Sequence, residues 1–297
     1  MNSTNDIWSE WLRHRRFGGD EAFQKQAMQQ YQKWASDIVE RADIFDSAAV
    51  LDIGAGDGLV GLEALTKLGP KGKLILSDIS EAALAIPKEI FNEKNIQDER
   101  VEFLIAGAED LSPLPGNSVD RVVMRSVLLY VEDKQAAFNE IFRVLRSAGK
   151  AVLWEPVNQR MSEYMKGLFR GYRMDREPLL SVKPLIQKIA EEMKKLSAQT
   201  QNTLVGYNEH DLVNMAINAG FEEIDLEYNL IRSAQVKYAS WDMFFESAPN
   251  PRARSIRETM NEILTKEEFQ QVEKALREVI QQAGISTKCL AMLVLKK

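Results

Sequence analysis

The sequence predicts an α/β fold, a parallel sheet covered by helices on both faces, and three observations carry that prediction. Short, nearly continuous apolar runs alternate with amphipathic stretches of helical period from Ala49 to Asn158. The runs are apolar at successive positions, as strands buried on both faces must be. The first run, AVLDIG, ends in glycines and leads directly into a helical stretch, which is a strand, a tight turn and a helix in sequence.

Taken in order, Asp20 to Ala42 is rich in helix formers, with Phe23, Ala27, Tyr31, Trp34 and Ile38 at helical spacing, and reads as a helix leading into the core. AVLDIG is the first strand and Leu59 to Leu68 the helix after it. KLILSDIS follows as strand, EAALAIPKEIFNEKN as helix, RVEFLIAGAED and VDRVVMRSVLLYV as strands, DKQAAFNEIFRVLRSAG as helix and KAVLWEPVN as strand. From Gln159 to Thr203 the rhythm breaks into two helical patches, expected as an inserted lid. The core resumes with NEHDLVNMAINAGF as helix, FEEIDLEYNL as strand and KCLAMLVLKK as terminal strand. A second insertion, roughly Tyr238 to Gly284, contains the helical TKEEFQQVEKALREVIQQAG. This divides the chain into a cover segment (1–48), a core (49–158, 204–237 and 285–297) and helical insertions (159–203 and 238–284) expected to form a lid or substrate pocket.

Composition narrows the function. Hydrophobic residues make up 45% and charged residues 28% of the 297, enough apolar surface for a sizeable core. A net charge of −6 and the absence of a long Lys/Arg block argue against a protein that grips nucleic acid through phosphates. Cys289 is the single cysteine, so neither an intramolecular disulfide nor a cysteine metal cluster is expected. No apolar segment suits a signal peptide or a membrane span, and a cytoplasmic location is expected.

The chemistry points to Asp52-Ile-Gly54-Ala55-Gly56-Asp-Gly58, placed where a strand feeds a helix, the crevice at which open α/β sheets bind nucleotides. A dinucleotide fingerprint needs its third glycine at position 59, which is Leu59, so the pattern is GxGxG. VLDIGAGDG followed by LILSDIS resembles the first two motifs of the class I S-adenosylmethionine-dependent methyltransferases, well over Ala49 to Asn158 and poorly over the insertions. The resemblance implies a Rossmann-like three-layer α/β/α sandwich whose mostly parallel, seven-stranded sheet has an antiparallel last strand. It also implies S-adenosylmethionine as cofactor and S-adenosylhomocysteine as product.

The resemblance further implies roles for single residues. Gly54, Ala55, Gly56 and Gly58 would approach the cofactor's methionine and ribose, and Asp52 would orient that loop and help hold the amino group. Asp78 would accept hydrogen bonds from both ribose hydroxyls, with Ile79 against the adenine and Ala108 and Glu109 at its edge. Arg125 stands where relatives usually place a small or polar residue; it would pair with the cofactor carboxylate or point at the substrate. The segment before the first strand folds over the cofactor in similar enzymes, which makes Arg16, Phe17 and Tyr31 candidate contacts.

A catalytic base is optional in methyl transfer. Glu155 at a strand end, and His14 if the N-terminal segment covers the pocket, are the candidates; His210 reads as structural. Tyr130, Trp154, Tyr164, Tyr172, Trp241, Phe244 and Phe245 could line an acceptor pocket. The fourth strand lacks the Asn-Pro-Pro-aromatic signature of nucleic-acid amino-methylating enzymes, arsenite methylation needs more cysteines, and the carboxylates of metal-dependent catechol-type enzymes are missing, so no metal is implied. The expected activity is methyl transfer to a small-molecule O, N or C nucleophile by in-line displacement, in a monomer or homodimer. The resemblance is to the ubiquinone/menaquinone and natural-product group. A non-catalytic cofactor-binding sensor or partner subunit, and other chemistry on the same fold, are the alternatives.

Overall fold

The computed structural model describes residues 6–96, 99–159, 174–198, 201–236, 240–280 and 284–297. Tyr164 and Tyr172 lie outside the described residues. The chain opens with α1 (Ile7–Glu10), which runs on as a π-helical turn (Trp11–Arg15), and then α2 (Glu21–Ala42), capped by the Asp20 carboxylate on the Phe23 N–H. The alternating part follows: β1 (Ala49–Ile53), α3 (Leu59–Leu65), β2 (Lys73–Asp78), α4 (Glu81–Glu93), β3 (Val101–Ile105), β4 (Val119–Arg125), α5 (Lys134–Val144) and β5 (Leu145–Pro156). The first insertion supplies α6 (Leu179–Ala198) and α7 (Gln201–Leu204). Beyond it come α8 (Glu209–Ala219) and β6 (Glu223–Val236). The second insertion holds α9 (Trp241–Glu246), α10 (Ile256–Ile263) and α11 (Lys266–Val279), and β7 (Gly284–Lys296) ends the chain.

The seven strands form one sheet in the order β3-β2-β1-β4-β5-β7-β6, with β7 antiparallel to both neighbours and the first five parallel. Helices α2, α3 and α4 bury Ile38, Val60, Leu84 and Phe91 on one face, and α5 and α8 bury Phe138, Ile141, Leu212 and Ala216 on the other. The Rossmann-like three-layer fold with an antiparallel last strand is therefore as expected. Because a strand alternates faces, Leu51 and Ile53 join the α5/α8 side while Val50 and Asp52 point toward α3. The same alternation sends Trp154 toward α2 and Glu155 to the opposite side.

Several elements differ from their sequence pattern, among them β5, which begins at Leu145 inside the stretch read as helix. VDRVVMRSVLLYV is not one strand: β4 stops at Arg125, Ser126 turns with φ +59°, and Leu128–Tyr130 forms a 3₁₀ turn. The apolar run continues because those residues pack into the core, not because they pair. Strands β6 and β7 run longer than their apolar stretches, since they pair with each other from Glu223↔Lys296 to Val236↔Gly284, past the end of β5. The second insertion springs from the tip of this ribbon. Its helices and α6 enclose an apolar core of their own, with Leu179, Ile186, Phe245, Met260 and Leu276 buried. Among the described residues, no helix is long and apolar enough to cross a membrane.

Candidate active site

Side chains and backbone converge in a cleft over the carboxyl ends of β1, β2 and β4, where the sheet's strand order reverses. Its floor is the glycine turn. Gly54 has φ +63° and Gly58 φ +73°, and a Cβ at either would lie 2.5 Å from Val127 or Pro87, so turn geometry and close packing both demand glycine. A Cβ on Gly56 would meet nothing nearer than Leu12 at 3.8 Å, which leaves that backbone open to the cleft.

Asp78 ends β2 at the rim. Its carboxylate accepts the Gly56 N–H at 3.1 Å and the Ser80 N–H at 3.0 Å, so it ties the second strand to the glycine turn. Burial pushes its pKa upward against those two N–H groups. Ile79, 58% exposed, and the buried Ala108 line the neighbouring part of the cleft. Glu109 lines it too, and its carboxylate accepts the Asp133 N–H at the start of α5.

The opposite end is charged. Asp57 lies 3.2 Å from Arg16 Nη1 and 3.8 Å from Arg125 Nη2. The Arg16 guanidinium is enclosed by the Trp11, Phe17 and Tyr31 rings, with centroids 5.1, 5.3 and 4.6 Å away. Tyr31 stands behind both arginines, 5.2 Å from Arg125, and does not itself line the cleft; Phe17 is buried behind Arg16 in the same way.

The outer wall comes from the N-terminal segment: Trp8, Trp11, Leu12 and Arg16, with Trp8 edge-on to Tyr130 at 4.9 Å. Long-range bonds hold this strap on two sides. Toward the core, Ser80 Oγ donates to Asp6 at 2.7 Å and Arg13 pairs with Glu89 at 2.8 Å. Toward the insertion, Trp11 Nε1 donates to the Ala248 carbonyl at 2.9 Å and Arg15 pairs with Glu258 at 2.7 Å.

Several expected site residues stand elsewhere. Asp52 is buried beneath the turn on the α3 side; its carboxyl is pushed up to about 8 by burial, and its Oδ2 has no hydrogen-bond partner. It can brace the loop but does not reach the cleft, because strand alternation turns it to the helix side. Glu155 is corrected as a base or substrate anchor. It is fully buried, accepts the Val127 and Leu128 N–H groups at 2.9 and 3.1 Å, and so shapes the 3₁₀ turn below the cleft. Burial raises its pKa to about 8.

His14 lies outside the cleft, in a depression beside Arg13, Gly18 and Glu246. Of the described aromatics expected around an acceptor, Tyr130 alone lines the cleft. Trp154 packs on Trp34 at 4.2 Å, while Trp241, Phe244 and Phe245 belong to the insertion's core. Sequence reasoning missed Asp57, Trp8, Trp11 and Gly61. Asp57 was signalled only by being an acid inside the glycine turn, and the two tryptophans by their helical spacing ahead of the arginines. Gly61 admits β2, since a Cβ there would fall 2.2 Å from Leu76 Cδ2. Among the described residues, no group of three metal-type ligands occurs.

The comparisons agree with this geometry. The methyltransferase domain family matches residues 44–235. A ubiquinone/menaquinone biosynthesis C-methyltransferase UbiE from Shewanella sp. (strain W3-18-1) is 28% identical over 192 residues, 65% of this chain and 73% of that protein. Among solved structures, the YcgJ protein of Bacillus subtilis has the same fold at a TM-score of 0.55 and 15% identity, covering 89% of this chain and 98% of its own. A phosphoethanolamine N-methyltransferase 2 from Haemonchus contortus, solved with S-adenosylhomocysteine, has a TM-score of 0.52 at 17% identity, covering 98% of this chain and 56% of its own. The glycine turn, the Asp78 that fastens it and the matched family together place this chain: it belongs to the class I S-adenosylmethionine-dependent methyltransferases.

Proposed function

We propose that this methyltransferase transfers its methyl group to a small-molecule O, N or C nucleophile, held in the cleft between the carboxyl ends of the central strands and the N-terminal strap. When bound, the cofactor would supply an electrophilic methyl on a sulfonium: a nucleophile bonding in line to that methyl breaks the carbon–sulfur bond, and S-adenosylhomocysteine leaves as the neutral thioether with the bond's electron pair. The residues present fit that group. Asp78 keeps acceptor capacity beyond its two backbone donors and would take the ribose hydroxyls. Gly54, Ala55 and Gly56 line the cleft with little or no side chain; Ile79 and Ala108 would offer apolar contact to the adenine, and Glu109 would meet its edge.

The observation that carries the reading is this pairing of an open glycine turn with Asp78 under an aromatic wall. Trp8, Trp11, Leu12 and Tyr130 would exclude water from the reacting atoms and align a small acceptor. Burial holds the Tyr130 phenol above its ordinary pKa, so at neutral pH it is a hydrogen-bond donor and not a base. The relatives named for quinone C-methylation favour a planar, largely apolar acceptor, which suits this wall. The test is calorimetric titration with S-adenosylhomocysteine and with NAD, followed by an acceptor screen read as S-adenosylhomocysteine release. Binding of the first alone and turnover of a small aromatic acceptor support the proposal; binding without turnover of any small molecule counts against it.

A further inference from the structure

We infer that Glu155 and Lys134, neither of which lines the cleft, are positioning residues: from below they clamp both ends of the 3₁₀ turn Leu128–Tyr130 and so hold the Tyr130 ring against Trp8. The inference rests on the reading of Tyr130 and Trp8 as the wall over the reacting atoms. The turn needs holding. β4 stops at Arg125, and Ser126 then takes φ +59°, a backbone conformation that a residue with a side chain keeps only where its surroundings impose it. The Tyr130 N–H closes on the Val127 carbonyl at 2.9 Å and the Val131 N–H on the Leu128 carbonyl at 3.2 Å. Groups of opposite polarity are left over at the two ends, and each meets a buried side chain. The Glu155 carboxyl accepts the Val127 and Leu128 N–H groups at the start, and the Lys134 ammonium donates to the Val131 carbonyl at 2.7 Å at the finish.

The two holders come from different layers, Glu155 from the end of β5 and Lys134 from the first position of α5. Tyr207 braces both: its hydroxyl donates to the Pro156 carbonyl at 2.8 Å, and its ring centre lies 5.4 Å from Lys134 Nζ. Lysine is seldom as buried as Lys134, which is 8% exposed, and an apolar pair would fill the same space without the desolvation of an acid and an amine. What the polar pair adds is a fixed turn. One end packs on the glycine turn, where a Cβ at Gly54 would fall 2.5 Å from Val127; the other carries Tyr130, edge-on to Trp8. Contacts inside the core thereby set where the strap closes.

Fluorine NMR of the full chain labelled with fluorotryptophan reads the clamp without a ligand. Among the five tryptophans, Trp8 is assigned by Trp8→Phe, and Trp241, in the insertion's core, reports the fold. Glu155→Gln puts a donor where one acceptor oxygen stood, and Lys134→Met removes the donor while keeping the stem. Both should move the Trp8 signal in the direction that Tyr130→Leu moves it, with Trp241 in place. Tyr207→Phe, which deletes only a hydroxyl, should move it the same way by less. In calorimetry, Glu155→Gln and Lys134→Met should each weaken S-adenosylhomocysteine by about 3- to 10-fold, the scale of one orphaned polar group. In a Tyr130→Leu background, with no ring left to position, Lys134→Met should change it by less than about 2-fold.

A Trp8 signal unmoved in all three core variants overturns the clamp. An undiminished Lys134→Met effect in the Tyr130→Leu background overturns it as well, assigning the lysine to general stability. A wild type that does not bind S-adenosylhomocysteine overturns the proposed use of the cleft, and the Trp8 signal, which needs no ligand, still decides the clamp.

Discussion

The inner wall of the cleft is backbone and side chains set at strand ends and in the turns that follow them, whereas its outer wall is largely aromatic and belongs to a strap hung between the core and the helical insertion. The inner wall is held by bonds between neighbouring parts of a single supersecondary unit: Gly56 to Asp78, Ser80 to Asp78, Ala55 to Ser77. The outer wall depends on partners more than 70 residues away: Ser80 for Asp6, Glu89 for Arg13, Ala248 for Trp11 and Glu258 for Arg15. A wall built locally is set once the sheet forms; a wall held by distant, partly exposed pairs opens at lower free energy. The division suits an enzyme that must hold its cofactor rigidly and still admit and release it.

The contrast can be strained in several ways. The largest effect expected is on pH. Asp52 and Glu155 are both buried in the core with pKa values raised to about 8, against 3.8 and 4.5 when free. Between those values the unfolded chain has released both protons while the fold still holds them. Stability therefore falls as pH rises from about 4 toward 8. Keeping both acids charged costs the fold on the order of several kcal/mol. A thermal midpoint measured across that range should decline, and Asp52→Asn should flatten part of the decline; a midpoint that climbs over the same window would contradict the burial of these acids.

Next in size is Phe245→Ala, which empties a fully buried site in the insertion's core and should cost about 3–5 kcal/mol. Because the strap leans on that insertion, the variant should raise cleft opening, read as faster hydrogen exchange at Trp8 and Trp11, before the sheet loses protection. Equal loss in strap and sheet would erase the distinction between the two walls.

Asp78→Ala attacks the inner wall and should weaken S-adenosylhomocysteine binding by about 1.5–3 kcal/mol, the scale of a hydrogen bond to a charged group. Titration at fixed pH checks it. Unchanged affinity would remove Asp78 from the site. Smallest is Arg13→Ala, which deletes a half-exposed pair with Glu89 and should change global stability by less than about 1 kcal/mol. Its measurable consequence is faster dissociation of the product, since the strap loses one of its ties to the core.

The fold was legible because periodicity is written residue by residue: buried strands show as apolar runs and covering helices as 3.6-residue patterns. The break at Arg125 escaped that reading, since Val127, Leu128 and Leu129 are apolar for tertiary reasons whether or not they pair as strand. The site was legible in halves. Gly54, Gly56 and Asp78 announce themselves by spacing across one strand–turn–helix–strand unit. Glu155 and Trp154 could not be assigned, because adjacent residues on β5 face opposite sides of the sheet and only the packed layers say which side the cleft borders.

The sequence by itself determined the alternating architecture, the glycine turn and its acidic partner, since these depend on short-range sterics and on hydrophobic period. Tertiary structure alone decided that two N-terminal tryptophans close the cleft, that Asp57 lies between Arg16 and Arg125, and that Glu155 supports a turn instead of facing a substrate. Each of these joins residues far apart along the chain or picks one face of a strand, and such choices follow from how the layers pack, which no local pattern of side chains encodes.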